Sequence, residues 1–117
     1  MSEPDPTCLF CRIVAGEVPA AVVASTERSV AFRDVNPQAP THVLVVPRRH
    51  VATAAELAAT AAEDLADVVS TARSVADSEG LDGGYRMVFN TGAQAGQSVF
   101  HAHLHLLGGR YLAWPPG

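Results

Sequence analysis

Three histidines stand at two-residue intervals in the segment SVFHAHLHLLGG, residues 98–109. They are His101, His103 and His105, and apolar residues separate them. Because successive side chains of an extended strand point to opposite faces, the three imidazoles would share one face and the apolar residues the other. Stacked imidazoles repel one another when protonated, a cost that a face of valine and leucine does not carry. The pattern therefore favours a functional site over a purely structural one.

Neutral imidazole supports two kinds of chemistry, and these three histidines alone leave both open. One is metal binding by all three rings, as in a metal-dependent hydrolase. The other is nucleophilic attack, which at a phosphorus centre forms a phosphohistidine that water later hydrolyses. The second mechanism needs donors for the phosphoryl oxygens. The loop residues Gly96, Gln97 and Ser98 could supply backbone amides and a hydroxyl.

Three more residues could take part in binding. Asp34 ends a predicted strand and could bind ribose hydroxyls, as acids do in dinucleotide-binding folds, although strand-end aspartates are commonly turn residues. Cys8 and Cys11 are the only cysteines and form a Cys-x-x-Cys pair. In a reducing compartment such a pair is a metal or redox element more often than a structural disulfide.

Composition limits the class of protein. The chain has 117 residues, 48% hydrophobic and 17% charged, which is typical of one globular domain. Its net charge is -4 and its eight basic residues include one adjacent pair, Arg48-Arg49, so we expect no nucleic-acid partner. The apolar run at 18–24 is too short to span a bilayer and acids precede it, so we expect no membrane association and a cytoplasmic location.

The strands that must position the histidines follow from period-two patterns. AVVAS and SVAFRDV predict a hairpin, and HVLVVP predicts a third strand with His42, Leu44 and Val46 on one face. GYRMVFN predicts a fourth strand and FHAHLHLLGG the last. We expect residues 1–7 to fray and a short helix after them to end at Gly16.

Two capping boxes, Thr53–Glu56 and Thr60–Glu63, predict helix starts. We expect one turn after the first and a long helix after the second, which Gly80 ends. Its apolar stripe would cover the sheet opposite a polar face of Glu63, Asp64, Asp67 and Arg73; the stripe comprises Leu57, Ala61, Leu65, Val68, Val69, Ala72, Val75 and Ala76. The predicted class is α+β, with a mostly antiparallel sheet of about five strands, one short amino-terminal helix and one long helix.

The segment HAHLHLL resembles the His-φ-His-φ-His-φ-φ motif of the histidine-triad (HIT) superfamily. AFRDVNPQAPTHVLVVPRRH, GYRMVFNTGAQAGQSVFHAHLHLLGGR and WPPG are similar to its Hint branch of nucleoside phosphoramidases, and the similarity runs from about Cys8 to Gly117. The resemblance implies a single HIT domain over residues 1–117 with a HIT-like fold. It also implies a homodimer, with the carboxy-terminal tail, residues 110–117, near the partner.

The resemblance further implies a role for each site residue. His103 would attack the α-phosphate, His105 would assist through hydrogen bonds and proton transfer, and His42 would orient the nucleophilic ring. Ser98 would lie near the departing amine. The nucleotide-binding residues it implies are Leu9, Phe10, Ile13, Phe32, Asp34, Val35, Asn90, Gly96, Gln97, Ser98, His103, His105 and Trp114.

The implied activity is that of an adenosine 5′-monophosphoramidase-like hydrolase. It would cleave the P–N bond of purine nucleoside phosphoramidates through a covalent nucleotidyl-histidine and release AMP, with no divalent cation required at the phosphate. Its ligands would be AMP, GMP or phosphoramidate conjugates. A dinucleoside polyphosphate hydrolase and a nucleotide-binding interaction protein with little catalysis are the alternatives.

Cys8, Cys11, His50 and His101 together would supply two thiolates and two imidazoles, a set suited to tetrahedral zinc. A structural Zn²⁺ here would tie the amino-terminal helix to the sheet and would leave His103 and His105 for chemistry. Buried free thiols or a reversible disulfide between the cysteines are the other possibilities.

Overall fold

The structure is a computed structural model that describes residues 4–117; the first three residues of the segment expected to fray lie outside it. Five strands form one antiparallel sheet, in which the fifth strand of the chain lies between the third and the fourth. The predicted α+β class and the five-stranded antiparallel sheet are confirmed. The elements are α1 (Leu9–Val14), β1 (Val22–Ser25), β2 (Ser29–Arg33), β3 (Thr41–Pro47), α2 (Ala54–Thr60), α3 (Ala62–Ser78), β4 (Tyr85–Phe89), a 3-10 turn (Ala93–Ala95) and β5 (Leu104–Gly108).

The two faces of the sheet bury different groups of side chains. The larger core lies between the sheet and helices α2 and α3, where Val43, Val45, Leu104 and Leu106 pack against Val68 and its neighbours. On the other face, Phe10 of α1 packs against Phe32, Leu44 and Val46. The period-two alternation of the strands therefore separates a helix-covered face from the face that carries the imidazoles.

Strands β3 and β5 are neighbours, and their register brings two histidines together. Leu44 lies opposite His105, and His42 lies opposite Leu107. His42 is two residues from Leu44, so it is a diagonal neighbour of His105 on the same face. Residues 42 and 105 are distant in sequence, and only the strand pairing places their rings in contact.

The last strand is shorter than the sequence pattern predicts. We expected it to start at Phe100, but β5 starts at Leu104, so His101 and His103 precede the ladder. This approach segment is held by the Ala102 N–H, which donates to the Val51 carbonyl at 2.7 Å. His101, Ala102 and His103 are buried nonetheless.

The helical region departs from the prediction at three points. Thr53 caps α2 by accepting from the Glu56 N–H, as expected, but α3 has no side-chain cap, because the Thr60 hydroxyl instead donates to the Glu56 carbonyl. Asp64 is buried rather than solvated, since Arg28 and Arg49 pair with it. Val69, placed in the apolar stripe by the pattern, is exposed.

Asp67 also turns toward the protein. Its carboxylate accepts from the hydroxyls of Thr26 and Ser29, both at 2.6 Å. These bonds fasten α3 to the β1–β2 turn. Among residues 4–117, no helix combines the length and apolar character needed to cross a bilayer.

Candidate functional site

Four side chains from three parts of the fold converge beneath α1. Cys8 caps α1, Cys11 lies within it, His50 follows β3 and His101 precedes β5. Their potential ligand atoms all lie within 4.8 Å of one another. We call Cys8, Cys11, His50 and His101 the metal cluster.

The spacing within the metal cluster fits a tetrahedral zinc ion. Zinc–nitrogen bonds of about 2.0–2.1 Å and zinc–sulfur bonds of about 2.3 Å separate two nitrogen ligands by about 3.3 Å and a nitrogen from a sulfur by about 3.6 Å. The Nδ1 atoms of His50 and His101 are 3.1 Å apart. Cys11 Sγ lies 3.2 Å from the first and 3.5 Å from the second, and Cys8 Sγ lies 3.5 Å from His101 Nδ1.

The protonation of His101 also suits a metal ligand. Its Nε2 lies 2.8 Å from the Pro47 carbonyl, which can only accept, so Nε2 carries the hydrogen and Nδ1 keeps its lone pair toward the cluster. Burial lowers the pKa of His101 to about 4, which keeps the ring neutral. Burial raises the pKa of the Cys11 thiol, so a cation is needed to favour its thiolate.

His103 has a free ring nitrogen. Its Nδ1 donates to the carbonyl oxygen of His101 at 2.8 Å, so the hydrogen is on Nδ1 and the lone pair is on Nε2. Burial lowers the pKa of His103, which keeps that lone pair available near neutral pH. The ring is therefore arranged as a nucleophile.

His42 contacts His105 rather than the nucleophile it was expected to orient. The Gln38 N–H donates to His42 Nδ1 at 3.0 Å, so the hydrogen of the neutral His42 ring is on Nε2. That Nε2 lies 3.0 Å from His105 Nδ1, which must accept. The His101 carbonyl orients His103 instead, because the strand register brings His42 next to His105.

These bonds leave the hydrogen of His105 on Nε2. This atom is buried and has no hydrogen-bond partner within the described residues. Burial, together with the neighbouring His103 and His42, lowers the pKa of His105 to about 4. A buried N–H without a partner is costly, so it indicates a ligand atom that accepts from it.

Asp34, His42 and His105 also approach one another, but they do not fit a metal ion. Asp34 Oδ2 lies 3.4 Å from His42 Nε2. A metal at this group would need a lone pair on His42 Nε2, where the Gln38 bond requires a hydrogen. One metal held by His101, His103 and His105 does not fit either, because His101 Nδ1 faces the metal cluster and His105 Nε2 carries a hydrogen.

The loop before His101 differs from the predicted phosphate cradle. The Gly96 N–H donates to the Ala93 carbonyl and the Gln97 N–H to the Gly92 carbonyl, so neither amide is free for phosphate. The Gln97 side chain is buried and bonds Gly92, Ala52 and Val99. Within residues 4–117, no bond engages the N–H groups of Ser98 and Val99, and Ser98 is exposed.

The predicted nucleoside-binding residues are spread from the core to the surface. Phe10 and Phe32 are buried with their rings 5.6 Å apart, and Ile13 packs beside them. Asp34 and Asn90 are half-buried. Leu9, Val35 and Trp114 are exposed, with Val35 and Trp114 more than three-quarters accessible.

Three backbone groups that position the histidines were not predicted from the sequence. The Gln38 N–H, the Pro47 carbonyl and the His101 carbonyl set the tautomers of His42, His101 and His103, respectively. No side-chain pattern marks them, because every residue carries a backbone carbonyl and every residue except proline carries an N–H. Phe10, expected only against the nucleobase, lies edge-on to His103 with ring centroids 5.0 Å apart.

Comparison with known proteins identifies the family to which the chain is similar. A family model described as HIT domain matches residues 15–112. The chain is 48% identical over 109 residues to an uncharacterized HIT-like protein of Synechococcus elongatus, covering 93% of this chain and 96% of that protein. It is 44% identical over 115 residues to a 14 kDa zinc-binding protein of Zea mays, covering 97% of this chain and 90% of that protein.

Solved structures show the same fold. A HIT family hydrolase from Legionella pneumophila superposes with a TM-score of 0.91 at 50% identity, covering 95% of this chain and all 100% of that one. A zinc-bound histidine triad family protein from Mycobacterium smegmatis superposes with a TM-score of 0.78 at 32% identity, covering 89% and 76%. The expected histidine-triad resemblance and the predicted fold are confirmed.

Proposed function

Since the chain belongs to the HIT family, we propose that it is a hydrolase of the Hint type, which cleaves the P–N bond of purine nucleoside phosphoramidates and releases AMP. The observation that carries the proposal is the free Nε2 of His103, whose lone pair is preserved by the bond from Nδ1 to the His101 carbonyl. The Legionella neighbour named as a hydrolase supports the reaction class.

His103 acts as the nucleophile. Its Nε2 attacks the α-phosphorus, the P–N bond breaks, and the electron pair leaves with the amine nitrogen, which takes up a proton. A nucleotidyl-imidazole results. Water then attacks the same phosphorus and gives a proton back to His105 Nε2, the P–Nε2 bond of His103 breaks, and AMP and the free ring are released.

His105 supplies the proton and a hydrogen bond. Its Nε2–H, which has no partner within the described residues, can donate to a phosphoryl oxygen or to the departing amine. When that proton leaves, the His42 Nε2–H bonded to His105 Nδ1 stabilises the ring that remains. Burial lowers the pKa of both His42 and His105, so both rings are neutral near pH 7 and the hydrogen bond between them keeps one direction.

Ser98 and Val99 present amides that no bond within residues 4–117 engages. These N–H groups and the Ser98 hydroxyl bind phosphoryl oxygens and the amine side of the substrate in our proposal. The purine lies against Ile13, Phe32 and the exposed Leu9 and Val35, and Asp34 accepts from the ribose hydroxyls. Gly96 and Gln97 hold the loop and do not touch phosphate, while Asn90 lines the pocket.

The metal cluster holds zinc in this proposal. The zinc-binding protein of Zea mays and the zinc-bound structure from Mycobacterium smegmatis support that choice of ion. A bound zinc ion supplies a fixed cross-link between α1 and the start of β5. Cys8 and Cys11 would bind it through sulfur, and His50 and His101 would bind it through nitrogen.

We further propose that the chain acts as a cytoplasmic homodimer. Tyr111 and Trp114 of the tail are 87% and 80% exposed, and exposed apolar surface of this kind can mark a protein–protein interface. In a dimer the tail would reach the partner's site and limit which leaving groups fit. Analytical ultracentrifugation tests the dimer.

A substrate panel tests the function. Adenosine 5′-phosphoramidate, AMP-lysine and diadenosine tetraphosphate are incubated with the zinc-loaded protein, and the products are identified. We expect AMP from both phosphoramidates with a kcat/KM well above that for the tetraphosphate. Faster cleavage of the tetraphosphate would favour a dinucleoside polyphosphate hydrolase, and AMP binding without turnover would favour a binding protein.

A further inference from the structure

His101 belongs to the metal cluster and to the catalytic site at the same time. Its Nδ1 lies 3.1 Å from His50 Nδ1 and 3.5 Å from each thiol, while its main-chain oxygen accepts from His103 Nδ1 at 2.8 Å. The residue is fully buried. Any movement of His101 therefore moves the acceptor that orients the nucleophilic ring.

The segment that carries His101 and His103 is not held by the sheet, because β5 starts at Leu104. Two hydrogen bonds hold the segment to residues on either side of His50. The His101 Nε2–H donates to the Pro47 carbonyl, and the Ala102 N–H donates to the Val51 carbonyl. The position of the segment thus depends on how His50 and His101 are held relative to each other. A shared ligand ion fixes that relation.

Phe10 links the two cysteines to the nucleophile. It lies between them in α1, is buried, and places its ring edge-on to His103 at 5.0 Å and to His101 at 6.0 Å. Helix α1 has six residues, too few to be stable without tertiary contacts. A metal ion bound by Cys8 and Cys11 would hold Phe10 against the His103 ring.

We propose that the metal cluster and Phe10 are positioning residues for His103, so that metal occupancy controls how fast the nucleophile attacks. This inference rests on the proposed function, since it gives the cluster a task in the same reaction. The metal does not touch the phosphate. Its loss loosens the His101 carbonyl and the Phe10 ring, and His103 samples orientations and tautomers that cannot attack.

The metal cluster borders an open cavity on one side. Cys8 and His50 are half-buried and line an open cavity of about 530 Å³ that also borders Ser98 and Phe100. We therefore expect a chelator to reach the metal cluster through this cavity, which makes the metal occupancy a usable experimental variable.

The test compares zinc-loaded and chelated protein with three readouts: zinc content, steady-state kinetics, and the ¹⁵N chemical shifts of the His103 ring in the absence of substrate. We expect chelation to lower kcat by about 10-fold or more, the scale of a small misplacement of a reacting group, while KM changes little. The ¹⁵N shifts should change from a locked Nδ1–H form toward a tautomeric average. Restored zinc should reverse both changes.

The variant Phe10→Leu removes the ring edge and keeps both thiols. We expect full zinc content, a kcat lower by several-fold and partial loss of the locked tautomer. Nucleobase contact alone would instead raise KM at constant kcat, and that result would contradict the positioning role. If chelated protein unfolds, this variant still decides the question.

The matched control is Val75→Ala, which truncates a core residue on the opposite face of the sheet. We expect a lower Tm with unchanged kcat at temperatures where the protein is folded. A folded, zinc-free protein with unaltered kcat and an unaltered His103 tautomer would overturn the inference. Absence of turnover in the zinc-loaded protein would reject the proposed function, whereas the substrate-free ¹⁵N comparison would still decide whether the metal positions His103.

Discussion

His42 Nε2 donates to His105 Nδ1 across 3.0 Å, because the Gln38 N–H occupies the other nitrogen of His42. One backbone amide thereby sets the tautomers of two rings in succession. The hydrogen of His105 is directed away from His42, on an atom without a partner within the described residues. A proton donor is thus prepared before any substrate binds.

Replacement of His42 tests this chain of hydrogen bonds. His42→Leu removes the donor, so His105 is free to change tautomer, and we expect kcat to fall by about 10²-fold or more, the usual contribution of a positioned acid or base. His42→Gln can still place an N–H near His105 and should retain more activity than the leucine variant. Steady-state kinetics with equal zinc content provide the comparison; equal losses in both variants would contradict the relay.

The pH dependence follows from the burial of His105. An exposed histidine titrates near about 6.5, whereas burial and the neighbouring His103 and His42 lower the pKa of His105 to about 4. Burial also lowers the pKa of His103, whose protonation removes the attacking lone pair. The acid limb of kcat/KM should therefore lie below about pH 6.5. A limb at or above about pH 6.5 at constant zinc content would contradict the desolvation of these rings.

The same pKa difference affects stability. Between about pH 6.5 and 4 the unfolded chain binds a proton at this residue that the folded protein does not. The contribution of His105 to the free energy of unfolding is therefore greatest above about pH 6.5 and decreases as the pH falls toward 4. Urea denaturation at several pH values, compared with His105→Gln, measures this contribution.

We expect the Gln97 side chain to stabilise the fold rather than to bind phosphate. Its Nε2 donates to the carbonyls of Ala52 and Val99, and its Oε1 accepts from the Gly92 N–H. Gln97→Ala leaves these buried groups without partners, so we expect the free energy of unfolding to fall by about 1–3 kcal/mol. The exposed Gln94 of the same loop is the control: Gln94→Ala should change it by less than about 0.5 kcal/mol. Equal effects of the two substitutions would contradict this role.

Replacing the two threonines of the predicted capping boxes should change the stability of the protein by different amounts. Thr53 accepts from the Glu56 N–H at 3.2 Å, so Thr53→Ala should cost about 1 kcal/mol. Thr60 caps no helix, and Thr60→Ala should be within about 0.5 kcal/mol of the parent protein. Thermal or urea unfolding measures both, and a large loss at position 60 would show that it caps α3 after all.

Local patterns were sufficient to predict most elements. Alternation in HVLVVP and the periodicity of the long helix both arise within a few residues, and the structure has a strand and a helix there. The errors come from long-range contacts. Asp64 was placed in solvent by helical spacing, yet Arg28 and Arg49 from elsewhere in the chain pair with it.

The sequence predicted which residues form the candidate site but not their hydrogen-bond partners. The motif identified His103 and His105, and the spacing of Cys8 and Cys11 suggested the metal cluster. The partner of His42 depends on strand register, and the tautomers depend on backbone groups of Gln38, Pro47 and His101. Neither the strand register nor these backbone groups can be predicted from the identity of the side chains.

The most direct measurement is rapid-quench mass spectrometry of the zinc-loaded protein with a slowly hydrolysed adenosine phosphoramidate. We expect an adenylyl adduct on His103 that forms and decays at rates compatible with turnover, and no adduct or turnover in His103→Ala, which should still bind AMP. Full turnover with no nucleotide on His103, or undiminished turnover by His103→Ala, would contradict the nucleophilic role of this residue.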